Sequence, residues 1–225
     1  MDGITLFKID QDMKKLLTVL ILLVVISESY SQKRFSLTFL ASPQMSWLRS
    51  DAKTINGGKT FLGFGYGVEG DIFLHSPNYT LSTGMTVCTA GGSLTYDRSA
   101  SFSGKVLPAG TVVEYDLTWL EFPLALKMRT RNFFNTRYYA QFGFTNWFNI
   151  KAKGTSSDRS FQKETIEHEI RIFNLGLNIG GGLEYNLGYG NALTCGLIYS
   201  NGFTDVTTTS GITLKGVRFR LGFVF

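Results

Sequence analysis

The stretch that decides the fold is Leu120-Glu121-Phe122-Pro123-Leu124-Ala125-Leu126-Lys127-Met128-Arg129. Every even position holds a large apolar side chain, while Glu121, Lys127 and Arg129 stand on odd positions. In an extended chain successive side chains point to opposite faces. This segment therefore reads as a strand with one greasy face and one charged face. The C-terminal stretch repeats the pattern: Val217, Phe219, Leu221, Phe223 and Phe225 alternate with Arg218, Arg220 and Gly222.

Working outward, six further segments alternate in the same way. Phe35, Leu37, Phe39, Met45 and Trp47 oppose Ser36, Thr38, Ser42, Gln44 and Ser46, with Leu40 the exception. Leu62, Phe64, Tyr66, Val68, Ile72 and Leu74 oppose Gly63, Gly65, Gly67, Glu69 and Asp71. Tyr79, Leu81, Met85 and Val87 oppose Ser82, Gly84, Thr86 and Cys88. The remaining three center on Tyr138–Phe148, Phe173–Leu187 and Leu193–Tyr199, and the second of these carries Glu184 on its polar face.

Eight strands result, and most reach the length of about 9–11 residues needed to cross a bilayer. The connections alternate in length. Residues 49–59, 98–113, 151–168 and 201–212 read as long polar loops, whereas 75–78 and 188–191 are tight and 130–136 is intermediate. Long loops at one end and short turns at the other are the pattern of membrane barrels. The expected fold is an all-β, eight-stranded antiparallel up-and-down transmembrane β-barrel, with its long loops outside the cell.

The choice between a membrane barrel and a soluble one rests on which face is inside. An eight-stranded barrel has an interior just wide enough for side chains. Small residues and paired charges suit that space better than Phe, Leu and Trp from eight strands. The expected lumen network is Glu69, Asp71, Glu121, Lys127, Arg129, Glu184, Arg218 and Arg220, four acids balanced by four bases. The large apolar residues then face lipid. Trp47, Tyr66, Tyr115, Trp119, Tyr138, Trp147, Tyr185 and Tyr199 stand near strand ends or adjoining loops, close to the membrane interfaces, without all facing outward. The alternative is a soluble secreted barrel of lipocalin type with these faces exchanged.

Composition agrees with a membrane barrel. Charged residues make up 17%, below the roughly 25% of soluble domains. The net charge of +5 is not gathered into a continuous basic patch, so nucleic acid is not an expected partner. Residues Met13–Gln32 carry Lys14 and Lys15, an apolar run from Leu16 to Ile26 and the small-x-small site Ser29-Tyr30-Ser31. That is the anatomy of a secretory signal peptide. The reading puts the start at Met13, the signal peptide within residues 1–31 with cleavage before Gln32, and the barrel domain over 32–225. The run is too short to span a membrane as a helix.

Several segments resemble PorT-like outer-membrane β-barrel proteins. Trp119-Leu120-Glu121-Phe122-Pro123-Leu124-Ala125-Leu126-Lys127 is similar to that family's "YLEIPLLLK" strand. Ser42-Pro43-Gln44-Met45-Ser46-Trp47 resembles its first strand, and Gly180-Gly181-Gly182-Leu183-Glu184-Tyr185 its "GxGxEY" strand. Tyr199-Ser200-Asn201-Gly202-Phe203-Thr204-Asp205-Val206 resembles its "YxxGLxDI" segment. The segments occur in the family's order over nearly the whole mature chain. The resemblance implies the bacterial outer membrane as location and outer-membrane lipid as surroundings; some members serve secretion or gliding. The ending Phe219, Leu221, Phe223, Phe225 looks like the C-terminal signal read by the barrel-assembly machinery, a partner during biogenesis.

No catalytic, cofactor or metal site is expected. Gly63-x-Gly65-x-Gly67 does not open a helix and so lacks the setting of a phosphate loop. It reads, like Gly180, Gly181 and Gly182, as glycine on the inner face of a narrow barrel. His75 lies near Asp71 and Ser76, yet no arrangement that would activate a nucleophile is evident; His168 lies in a loop. Cys88 and Cys195 stand inside strands as small fillers, too few for a zinc site. The expected function is a non-enzymatic structural or interaction barrel, with an unknown protein or ligand at its extracellular loops; a small channel, a lipocalin-like carrier and a lipid-acting barrel enzyme are the alternatives.

Overall fold

A computed structural model describes residues 35–225 except Ser103, Thr209 and Ser210. The expected leader, its start and its cleavage site lie outside the described residues. In chain order the strands are β1 (Phe35–Ser50), β2 (Ile55–Phe73), β3 (Tyr79–Tyr96), β4 (Ala100–Phe102), β5 (Lys105–Leu107), β6 (Thr111–Arg129), β7 (Thr136–Ser156), β8 (Glu164–Thr165), β9 (Phe173–Gly188), β10 (Asn191–Gly202) and β11 (Ile212–Val224).

Eight of these form a closed antiparallel barrel. β1 pairs with β2, β2 with β3, β3 with β6, β6 with β7, β7 with β9, β9 with β10 and β10 with β11. The ring closes between β11 and β1, where Thr38 stands opposite Val224 and Ser50 opposite Ile212. Closure leaves no sheet edge with unsatisfied backbone groups, the condition for a strand to sit in lipid. β4 and β5 make a small hairpin in the β3–β6 connection, and β8 adds to the outer end of β7.

The turns at one end are tight for identifiable reasons. Phe134-Asn135 and Tyr189-Gly190 both have positive φ at the two central positions, the signature of a two-residue type I′ hairpin turn, whose twist matches that of the strands. Asn135 and Gly190 adopt that conformation readily; Phe134 and Tyr189 do so at the solvent-exposed tips. β9 meets the first of these turns, since the Asn186 N–H donates to the Asn135 carbonyl at 2.7 Å.

The strands are longer than a membrane requires. β6 has 19 residues, about 65 Å along the strand at roughly 3.4 Å per residue, against an apolar band ~25 Å tall in membrane barrels. The surplus lies at the loop end, and there the faces exchange character. Along β6 the inward residues run Val113, Tyr115, Leu117 and Trp119, then Glu121, Lys127 and Arg129. The outward residues run Glu114, Asp116 and Thr118, then Leu120, Phe122, Leu124, Leu126 and Met128. The changeover falls between Trp119 and Leu120. Below it the barrel is greasy outside and polar inside; above it the arrangement is that of a water-soluble barrel.

This corrects the expectation of long polar loops. The β1–β2 connection shrinks to residues 51–54, and much of 98–113 and 151–168 is strand. What remains of the loops encloses a second core. Leu48, Leu94, Tyr96, Phe102, Leu107, Val113, Leu117, Phe161, Ile166, Ile170, Val206, Ile212 and Leu214 are buried together at the outer end. Burial of each large aliphatic or aromatic side chain stabilizes by about 1.5–3 kcal/mol. Trp119, Trp147 and Tyr115 point into the interior and are buried, whereas Tyr66, Tyr138, Tyr185 and Tyr199 face outward. Gly181 alternates to the outer face, between the inward Gly180 and Gly182; it stands opposite Ala140 and Leu197.

Candidate functional site

The inward face of the lower barrel gathers all eight ionizable residues expected in the lumen. Asp71 comes from β2, Lys127 and Arg129 from β6, and Glu184 from β9. Lys127 Nζ lies 3.1 Å from Asp71 Oδ2 and 2.6 Å from Glu184 Oε1. Arg129 Nε donates to Glu184 Oε2 at 2.9 Å and Nη1 to Thr80 Oγ1 at 2.8 Å, while Nη2 pairs with Asp71. The Ser82 hydroxyl donates to the other Asp71 oxygen. Lys127 also sits 4.5 Å from the center of the Tyr139 ring. Beside this cluster Arg220 pairs with Glu69 at 2.5 Å and donates to Gln141 Oε1 at 3.1 Å.

A second cluster lies nearer the outer end. Arg218 from β11 grips Glu121 from β6 with two parallel bonds of 2.6 Å each. Bidentate pairing of this kind is the strong form of the interaction. Trp147 Nε1 donates to Glu121 Oε1 at 2.6 Å. The Trp147 ring reaches this position because it lies over Gly176, where a Cβ atom would collide with the ring. Here glycine is required by close approach, not by a turn.

The lumen side chains are shut off from water. Lys127 has no exposed side-chain surface, and Asp71, Glu121, Arg129 and Arg220 are buried. Removing a charge from water is tolerable only when it is paired and hydrogen-bonded, and here each base faces an acid across the barrel. A cavity of about 20 Å³ remains between Gln44, Trp119, Glu121, Trp147 and Arg218, room for roughly one water.

Above the charges the outer core forms the second part of the site. The Phe102 and Phe161 rings stack at 5.3 Å with an interplanar angle of 11°, joining the β4–β5 hairpin to the β7–β9 loop. Lys105 lies 5.9 Å from the Phe161 ring center and 2.9 Å from Glu164 Oε1. The Tyr96 and Tyr115 hydroxyls hydrogen-bond at 2.7 Å. Burial at this outer end, beyond the apolar belt, pushes both phenols above the ordinary tyrosine range.

The other expected residues are dispersed. Phe219, Leu221 and Phe225 face outward, and the Phe225 backbone exchanges hydrogen bonds with Leu37 at 2.8 and 3.3 Å. The Phe225 ring meets Phe39 and Phe223 at 5.5 and 4.7 Å. His75 is exposed in the β2–β3 turn, whereas Asp71 points into the lumen and is held by Lys127, Arg129 and Ser82. His168 lies on the opposite end, in the short 3-10 turn Glu167–Glu169. Cys88 and Cys195 are free thiols, the first buried. Among the described residues no group of three or more His, Cys, Asp or Glu is placed to hold a metal ion. The outer core, by contrast, is not among the features expected from the sequence. Its signal is nonetheless present: from Val113 to Trp119 the odd positions are apolar, and from Glu121 onward the odd positions carry the charges.

Comparison with known proteins places this architecture. A family profile described as "Outer membrane protein beta-barrel domain" matches residues 27–208. No curated protein sequence aligns significantly with the chain. Among solved structures, neisserial surface protein A superposes with a TM-score of 0.50 at 10% identity, covering 84% of this chain and 95% of its own. A major outer membrane protein from Thermus thermophilus superposes with a TM-score of 0.48 at 14% identity, covering 85% and 98%.

Proposed function

From the premise that this chain belongs to the outer-membrane protein β-barrel domain family and resides in the bacterial outer membrane, we propose that it is a sealed, non-enzymatic barrel that holds a folded platform outside the cell. The observation that carries this reading is the filled interior. The ion pairs of Asp71 with Lys127 and of Glu121 with Arg218 cross the lower lumen, and the apolar core that includes Leu94 and Leu214 closes the upper one. An ion entering from outside would meet buried Leu, Phe and Ile before reaching the charged groups of the lumen. Charge in such surroundings is expensive.

The experiment is single-molecule conductance of the purified chain in a planar bilayer. The expected result is insertion without discrete conductance steps. Reproducible steps would establish a small channel and sink the sealed reading.

Three finer assignments go with this proposal. Within its family the chain is grouped with PorT-like barrels, on the segments quoted above. The barrel-assembly machinery is the partner during biogenesis, with the Phe219–Phe225 end as its recognition element. The partner in the mature state is a protein or ligand at the outer loops. A lipid-acting enzyme is disfavored because Asp71 is committed to the lumen ion pairs and His75 stands apart from it on a turn.

A further inference from the structure

On four strands the outward face turns basic just above the apolar belt. On β1 the belt ends at Trp47 and the next outward residue is Arg49. On β7 it ends at Ile150, followed by Lys151 and Lys153. On β11 it ends at Val217, and Lys215 follows, opposite Trp47. β2 continues the collar with Lys59, beyond Leu62. Among the described residues none of these five cations has an acid within ion-pair distance. The cations of the lumen, by contrast, are all paired.

The collar contains a groove. A recess of about 240 Å³ on the outer barrel is lined by Lys59 and Thr60 from β2, by Lys153 from β7 and by Lys163 from the loop beyond it, with Glu114 and Asp116 of β6 also on its wall. Lys163 is held there by its backbone N–H, which donates to Thr155 Oγ1 at 3.2 Å. Three lysines against two carboxylates leave one net positive charge in the recess.

We propose that this groove binds the phosphate-monoester headgroup of an outer-leaflet lipid whose acyl chains lie on the apolar belt beneath. Lysine ammonium groups are good point-charge ligands for phosphate oxygens. Lys59 and Lys153 of the groove lie three positions beyond the belt residues Leu62 and Ile150 on their own strands, so a lipid resting on the belt presents its phosphate near the groove at high effective concentration. A free anion has no such tether. The net positive charge of the recess favors the doubly charged monoester over a singly charged diester, because the attraction grows with the charge of the ligand.

The test uses the full purified chain in neutral detergent and native mass spectrometry. The probes are phosphatidic acid and phosphatidylcholine with identical acyl chains. The wild-type chain is expected to retain phosphatidic acid with about tenfold preference, decreasing as salt is raised. The triple variant Lys59→Gln, Lys153→Gln, Lys163→Gln is expected to lose that preference, and Arg131→Gln, exposed at the opposite end of the barrel, to keep it. Folding of each variant is checked by the heat-dependent shift on a gel. If the triple variant does not fold, Lys59→Gln and Lys153→Gln alone are expected to lower the preference severalfold. Equal preference in wild type and folded variants would overturn the proposal. Displacement of phosphatidic acid by an equal concentration of inorganic phosphate would also overturn it, since the groove would then be a site for the free anion.

Discussion

At the scale of single residues, Lys127 carries the most consequence. It lies on the lumen wall with no exposed side-chain surface and faces both Asp71 and Glu184. Removing one partner of a buried pair is far more destructive than replacing the whole set with apolar groups, because the remaining charges are left uncompensated. Lys127→Met is therefore expected to destabilize the barrel by about 3–5 kcal/mol, measured by urea unfolding in lipid vesicles followed by tryptophan fluorescence. Adding Glu184→Gln to that variant should recover a substantial part, since Arg129 then suffices for Asp71. A loss below about 1 kcal/mol would mean that the lumen is hydrated enough to screen the pair, as at exposed surfaces. Which residues enter the network was legible from alternation alone: an ionizable group on the face opposite Phe122 and Leu124 has only the lumen to enter. Who pairs with whom was not. Arg218 and Glu121 are 97 residues apart, and their meeting depends on closure of the ring and on the stagger of the strands within it, which no local pattern encodes.

At the scale of the element, β7 shows how one strand serves two surroundings. Its inward residues run Tyr139, Gln141, Thr145 and Trp147 on odd numbers, then Ala152, Gly154 and Ser156 on even numbers. The change of parity is made by a bulge. Trp119 stands opposite Asn149 and Thr118 opposite Lys151, so Ile150 is the extra residue. Bulges re-aim side chains in this way. Deleting Ile150 restores plain alternation and should leave the fold intact. Inserting one alanine after Lys151 should instead turn Ala152 and Gly154 outward and aim Lys153 into the outer core. Limited proteolysis on intact cells would separate the two: the insertion variant is expected to be cleaved in its outer loops, the deletion variant to resist as wild type does. Equal resistance would show that the outer strands slip register freely. The same change of surroundings explains why the outer half of the molecule reads as polar loop in the sequence. Alternation assigns a strand one greasy face and one polar face over its whole length. Yet Glu114, Asp116 and Thr118 are outward for the same reason that Leu120 and Phe122 are: the solvent outside changes from water to lipid between them.

At the scale of the whole molecule, two barrels of opposite polarity are stacked on one set of strands, and they are stabilized by different forces. The lower one is held by backbone pairing and ion pairs among small inward residues such as Ser36, Thr38, Ser82 and Thr86. The upper one is held by apolar burial under its loops, with Phe161 at the junction of β7 and β9 stacked on Phe102 and 2% exposed. Because these forces share few residues, Trp147 being the link through its bond to Glu121, the upper core should be separable from the lower. Phe161→Ala removes a ring from a closed aromatic stack and is expected to cost the cap about 3–5 kcal/mol. The loops joining β3 to β6 and β7 to β9 should then open to protease on intact cells. The heat-dependent gel shift of the membrane barrel should remain, since every strand pairing of the lower half is untouched. If Phe161→Ala abolished the shift as well, the outer core would be the element that closes the ring, and the platform outside the cell would be a condition of the barrel, not a load it carries.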